Sequence, residues 1–308
     1  MKNAIYYYYH LLINNISQNG RNYSFQIEND YYIFFLYTRP LEDADFLYNL
    51  TLYLVNQNPY FPYIVLNFEG KVLTYVNNRP YFLVKSRWFS EQKITFNDLL
   101  SNVFVLNEKV KEIGTLLRIN WIELWKKKID YIEYQIVHLK EKYPILWESV
   151  DYYIGMGENA ISYIDQSKEV AKSNLDLLVL SHRRIDVENS IFDYYNPLLY
   201  VIDHRARDIS EYLKSLFLSD HYSQLELQKY FQKLELSPYG YHLLLARMLF
   251  PSIYFDKYEQ IVNDQLKEEE ILKIIERANE YEQYLYEIFQ CIKDRVAIIE
   301  IPWLLNKK

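Results

Sequence analysis

SHRRIDVENSIFDYYNPLLYVIDHRARDISEYLK, residues Ser181–Lys214, is the stretch on which the reading of the chain turns. It carries His182, Arg183 and Arg184, then Asn189, then the apolar pair Val201-Ile202 running into Asp203, and a helix candidate over Asp208–Phe217. Arg184 is a group that accepts no proton at physiological pH.

The rest of the chain supplies two kinds of surroundings. Before residue 90 the chain reads as strands and hairpins around one helix. Tyr23–Ile27 and Tyr31–Tyr37 are β-prone runs either side of the polar turn Glu28-Asn29-Asp30. Leu41–Val55 reads as a helix, with Phe46, Leu47, Leu50, Tyr53 and Leu54 at helical spacing and acids in its first turn. Tyr63–Phe68 and Lys71–Val76 flank Glu69-Gly70 as a hairpin, and Asn77-Asn78-Arg79-Pro80 turns into a strand over Tyr81–Val84. From residue 95 the period becomes helical. Helices are expected over Phe96–Leu117 and from Asn120-Trp121-Ile122-Glu123 to before Pro144, the latter with a stripe of Trp121, Trp125, Ile129, Ile132 and Ile136. Further helices are expected over Leu146–Ile164, with a weak point at Gly155-Met156-Gly157, and over Ser223–Leu234, Gly240–Met248 and Lys267–Ile292.

The full frame, His182-Arg183-Arg184-Ile185-Asp186-Val187-Glu188-Asn189 followed by Val201-Ile202-Asp203, resembles the catalytic core of a kinase whose base has been replaced. Kinases write His-Arg-Asp-Leu-x-x-x-Asn there, with a second metal-binding Asp on a nearby strand. Tyr152–Ile161, Ala246-Arg247-Met248-Leu249-Phe250-Pro251 with Tyr254-Phe255, and Ile301-Pro302-Trp303-Leu304 look like the YutH-type spore-coat-associated kinase-like proteins, relatives of the CotS type. Those belong to the aminoglycoside phosphotransferase and choline kinase superfamily. Its loop reads His-Gly-Asp-x-x-x-x-Asn, so His182, Asn189 and Asp203 match while Arg183 and Arg184 depart; Arg207-Asp208-Ile209 resembles the Arg-Asp-Leu that follows the metal-binding Asp. The resemblance implies an α+β, bilobal protein-kinase-like fold: a small β-rich N-lobe with one main helix over residues 1–88, and a large, mainly helical C-lobe over 89–308 with the degenerate loop.

Three catalytic parts are missing from that pattern. Gly20 is the only glycine before Gly70, which leaves no glycine-rich loop; Tyr31–Tyr37 has no lysine; Arg184 stands at the base position. The expectation is no catalytic residue, a degenerate loop of His182, Arg183, Arg184 and Asn189, a remnant, unfilled metal pair Asn189 and Asp203, and no cofactor. Arg183 or Arg184 is expected to form a bidentate pair with Asp203 in the metal's place. Plainer roles stand beside these: His182 as a packing residue, Asn189 as a loop cap, and Asp208 as a helix cap or a bond to the loop, while loop geometry points Asp186 away from service as a displaced base. By resemblance the chain is a non-catalytic structural or scaffolding protein of the spore coat, assembled from the mother-cell cytoplasm with other coat proteins as partners. The alternatives are an atypical phosphotransferase, or a nucleotide sensor that binds ATP, with magnesium, without turnover.

Composition bounds the choice. The chain has 308 residues and a formal charge of -7, which argues against a broad nucleic-acid footprint. No apolar run approaches a membrane span, and the start, MKNAIYYYYHLLINN, does not read as a signal peptide. A single cysteine, Cys291, excludes an internal disulfide. Tyrosine stands out at 33 residues. It is read either as genome composition or as a surface for aromatic packing and oxidative cross-linking in a protein shell.

Overall fold

The computed structural model describes residues 1–106, 116–170 and 172–305. It divides into two units: Met1–Thr95 with Leu106–Leu117 and His182–Ile202, and Phe96–Val105 with Arg118–Ser181 and Asp203–Lys308. The degenerate loop thus belongs to the first unit, and Asp203 opens the last segment of the second.

The first unit begins with a helix, α1 (Lys2–Tyr9), and a short strand, β1 (Ser17–Asn19), neither of which the sequence announced. The strands β2 (Asn22–Ile27) and β3 (Asp30–Leu36) follow, then α2 (Ala44–Gln57), β4 (Tyr63–Val65), β5 (Thr74–Val76) and β6 (Arg79–Ser86). The sheet runs β1-β2-β3-β6-β4, with β5 also on β6, every pairing antiparallel. Period-two alternation sorts the side chains. Phe25, Tyr32, Phe34, Leu36, Tyr81 and Leu83 point to one face and close over Ile5 of α1. Phe35, Tyr37 and Phe82 stack among themselves. A fully buried Ile5 explains why an otherwise polar-tipped aromatic start is helical: one side chain anchors it.

The hairpin expected between Tyr63–Phe68 and Lys71–Val76 does not form. Both segments pair instead with β6, Tyr63 opposite Lys85 and Thr74 opposite Tyr81. Asn77 and Asn78 both hold positive φ, the requirement of a tight two-residue β-turn, so β5 is delivered to β6. Asn67 organises the loop that was taken for the hairpin tip. Its side-chain oxygen accepts from the amides of Glu69 and Lys71, and its amide donates to Thr74 Oγ1.

The second unit is helical. α3 (Phe96–Ser101) is shorter than the expected Phe96–Leu117 helix, stopping before an isolated bridge of Val105 with Val179; residues 107–115 of that expectation lie outside the described residues. α4 (Trp121–Ile136) and α5 (Pro144–Gln166) follow, the latter unbroken through Gly155-Met156-Gly157. A Cβ on Gly157 would come 2.9 Å from Ile129 Cδ1 and 3.5 Å from Phe250, so the glycine lets α4 and α5 approach rather than weakening the helix. β7 (Leu178–His182) ends where the first unit's segment His182–Ile202 begins, and that segment carries α6 (Ile191–Tyr194) and most of β8 (Tyr200–His204). Then come α7 (Ala206–Leu218), α8 (Gln224–Lys233), α9 (Pro238–Leu249) and α10 (Ser252–Val262). Ser223 and Ser237 cap α8 and α9 by accepting the amides of Glu226 and Gly240.

The long helix expected over Lys267–Ile292 is in three pieces: a 3-10 turn at Glu268–Ile271, then α11 (Leu272–Ile275) and α12 (Ala278–Lys293), before the final α13 (Pro302–Leu305). Arg277 marks the break. Its guanidinium lies 4.3 Å from the Phe217 ring centroid, pairs with Asp220 and Glu280, and donates to the Leu218 carbonyl. Those bonds secure a turn that a continuous helix would forbid. No helix among the described residues is long and apolar enough to cross a membrane.

Most tyrosine hydroxyls inside this unit are tethered, as burial of so polar a group requires. Tyr143 donates to Ile261 O, Tyr241 to Leu234 O and Tyr284 to Leu213 O, while Tyr254 pairs with Ser149. Other rings, among them Tyr6, Tyr7, Tyr60 and Tyr134, are more than half exposed.

Candidate functional site

The degenerate loop is a tightly bonded turn. Asp186 Oδ1 accepts the amide of Glu188 at 2.9 Å, and the Asp186 carbonyl accepts that of Asn189 at 3.0 Å. The Asn189 carbonyl in turn accepts from Ile94. Ser190 and Asp193 close a reciprocal capping box at the start of α6. His182 is buried, its ring 3.9 Å from that of Tyr194 and edge-on to Tyr200, which is the packing role. Arg184 donates to the Arg183 carbonyl at 2.7 Å, and Arg183 N–H to the Leu199 carbonyl at 2.7 Å. His182, Arg184, Asp186 and Asn189 share the wall of one small cavity of about 10 Å³ in the first unit.

The parts that would hold a triphosphate are also placed in this unit. β3, Asp30–Leu36, carries no lysine; the sheet's lysine is Lys85 on β6, which pairs with Asp30 at 2.6 Å. The only glycine before Gly70 occupies a two-residue turn, Gly20-Arg21, between β1 and β2, with Gly20 at φ +59°. The unit also has an internal arginine, Arg39. It pairs with Asp43 at 3.0 Å and donates to the carbonyls of Leu198 and Tyr200 at 3.2 and 2.7 Å.

Asp203 lies at the end of β8 with no exposed surface. Its Oδ2 accepts from Arg247 Nη2 at 2.7 Å and Arg207 Nη1 at 3.1 Å. Its Oδ1 accepts from Trp121 Nε1 at 3.1 Å and from the His204 amide at 2.7 Å. Arg247 lies 5.6 Å from the Trp121 ring centroid, adding a cation–π contact. Arg183 or Arg184 was expected on this carboxylate; the structure supplies Arg207 and Arg247. Arg207 is four residues on, in the first turn of α7, where helix geometry returns it to the strand end. Arg247 comes from the last turn of α9, and Trp121, expected in the core stripe, turns its indole N–H to the same group.

A family model described as "Spore coat putative kinase YutH" matches residues 2–288. The chain belongs to that family. It is 27% identical to the endospore coat-associated protein YutH of Bacillus subtilis (strain 168) over 338 aligned positions, covering 99% of this chain and 98% of the relative. Among solved structures it is similar to an aminoglycoside phosphotransferase from Alicyclobacillus acidocaldarius, with a TM-score of 0.63 at 11% identity over 96% of this chain and 97% of the other. It is also similar to spectinomycin phosphotransferase APH(9)-Ia in its AMP-bound form, with a TM-score of 0.53 at 11% identity over 96% and 98%. The fold is therefore the aminoglycoside phosphotransferase-like, bilobal kinase fold, with an antiparallel sheet in its amino-terminal part and a helical remainder.

That fold implies a magnesium–nucleotide site, and Asp203 tests whether this chain fits one. A metal-binding carboxylate needs open lone pairs toward the ion. Both Asp203 oxygens are taken by four protein donors, two of them guanidinium groups. A divalent cation would have to displace those arginines and then stand beside their charge, which is strongly unfavourable in a buried setting. Among the described residues, no group of three or more His, Cys, Asp or Glu side chains is placed to hold a metal. The residues present do not fit the ion.

Next to Asp203 lies a second polar chain. His204 Nδ1 accepts the Ala206 amide at 3.0 Å, so the ring proton sits on Nε2, which meets Asp176 Oδ1 at 2.9 Å. Ser237 donates to the same oxygen. In α9, His242 Nδ1 accepts from the Tyr163 hydroxyl at 2.8 Å. Burial pushes both histidines below the ordinary value of about 6.5, and in each the accepting Nδ1 would have to become a donor on protonation. Both are neutral in the folded protein near pH 7, while the unfolded chain takes up protons as pH falls past about 6.5. Stability is therefore expected to hold above pH 6.5 and to decline below it, by at most about 1.4 kcal/mol per pH unit for each histidine. Thermal melts between pH 7.5 and 5.5 check this, and a His204→Asn, His242→Phe variant should show a flatter slope.

Proposed function

We propose that this chain is a non-catalytic, kinase-like protein that acts as a structural or scaffolding component associated with the spore coat. The observation that carries the reading is the Asp203 carboxylate, closed by Trp121, Arg207 and Arg247. Arg184 at the base position, the lysine-free β3 and the two-residue β1–β2 turn support it independently. Coat association rests on the family and on the coat-associated relative in Bacillus subtilis, and other coat proteins are the partners it implies. A ligand at a hundred times its dissociation constant stabilises a folded protein by about 2.7 kcal/mol. ATP, with or without magnesium, is expected to leave the melting temperature unchanged, and radiolabelled ATP to leave no label on an aminoglycoside, choline or protein acceptor. Arg184→Asp is expected to restore none of this, since the phosphate grip is missing as well. A magnesium-dependent shift without transfer would establish a nucleotide sensor instead, and transfer that is lost in an Asp203→Ala protein still folded at the assay temperature would establish an atypical kinase.

A further inference from the structure

Helices α8 and α12 of the second unit leave between them a groove of about 300 Å³, at the lower end of the range of small-ligand sites. Five of the chain's thirteen glutamines line it. Gln224, Gln228 and Gln232 come at four-residue steps on α8, and Gln283 and Gln290 come from α12. Helical residues at such steps share a side, so the two helices present facing rows of carboxamides. Among the described residues none of the five side chains makes a hydrogen bond. Each offers two N–H donors and a carbonyl oxygen. Glu287 lies one turn beyond Gln283, and its Oε2 is buried there without a partner. Phe231 and Tyr286 contribute rings to the same wall.

We propose that this groove is a binding site for a neutral oligosaccharide. Sugar hydroxyls are paired donors and acceptors, which carboxamides answer in both senses, and Glu287 supplies an acceptor for a hydroxyl proton. The C–H face of a sugar ring buries apolar surface against an aromatic one. The uncharged amide rows select against charge, and the acids Glu287 and Asp294 against Arg295 alone disfavour phosphorylated ligands. The groove shares no residue with the degenerate loop or the Asp203 cluster, so the proposal does not depend on whether phosphoryl transfer is lost.

The test is titration of the full chain with maltotriose, cellotriose and triacetylchitotriose, followed by calorimetry and by amide chemical-shift mapping. At least one trisaccharide is expected to bind and to shift signals of α8 and α12. Gln228→Ala with Gln283→Ala should weaken that binding at least about tenfold while leaving the melting temperature unchanged, because both side chains are solvent-exposed. Absence of binding by all three sugars, affinity unaltered in the double variant, or occupation of the groove by a capped tetra-alanine peptide instead would each overturn the proposal.

Discussion

Asp203→Ala is expected to destabilise the protein by about 3–5 kcal/mol, the cost of leaving buried charges without their partner. Arg247 is almost wholly buried and Arg207 largely so, and both direct guanidinium nitrogens at the Asp203 carboxylate. Removing that carboxylate takes a buried counter-charge from two guanidinium groups and deprives the Trp121 indole of its acceptor. The sign is diagnostic. A carboxylate kept open for a metal faces other oxygen ligands or solvent, and its removal tends to relieve repulsion rather than create it. Urea unfolding, with the slope compared to confirm two-state behaviour, reads the change directly. Adding Arg207→Met and Arg247→Met to Asp203→Ala should recover much of the loss, since a buried ionic triad can be replaced by apolar side chains of similar volume. Asp203→Ala with stability equal to or above that of the parent would remove the main support for a non-catalytic role.

Arg39→Ala is expected to cost a similar amount, about 3–5 kcal/mol, through a different part of the fold. Arg39 and Asp43 have side chains that are 1% and 2% exposed, and the same guanidinium holds the carbonyls of Leu198 and Tyr200. One side chain thus ties the β3–α2 connection to the segment that follows the degenerate loop, within the first unit. Arg39→Lys keeps the charge but loses the fork that reaches three acceptors, and should recover only part of the stability. Denaturant unfolding of the three proteins checks the order. Equal stability of Arg39→Ala and the parent would show that the network carries no net energy.

Local chemistry accounts for what was legible. The β-prone runs Tyr23–Ile27 and Tyr31–Tyr37 and the stripe along Trp121–Ile136 led to real elements, because each buries side chains against a neighbour. Where the sequence misled, a distant partner overrode a local preference. Glu69-Gly70 looked like a hairpin tip, yet β6 is long enough to pair both flanking strands. Lys267–Ile292 had an unbroken apolar stripe, yet the bonds of Arg277 to Leu218, Asp220 and Glu280 fix a turn inside it. The lone arginine in the apolar run of α9 was the available clue that a buried carboxylate awaited it.

From its residues alone, the chain established its kinship, the β-then-α order of its elements, and an arginine at position 184, because these depend on residue identity and short-range periodicity. The fate of Asp203 was decided only in three dimensions. Trp121 and Arg247 stand 82 and 44 residues from it along the chain. Whether a carboxylate faces an ion or a guanidinium is set by which helices pack around it, and no local pattern encodes that.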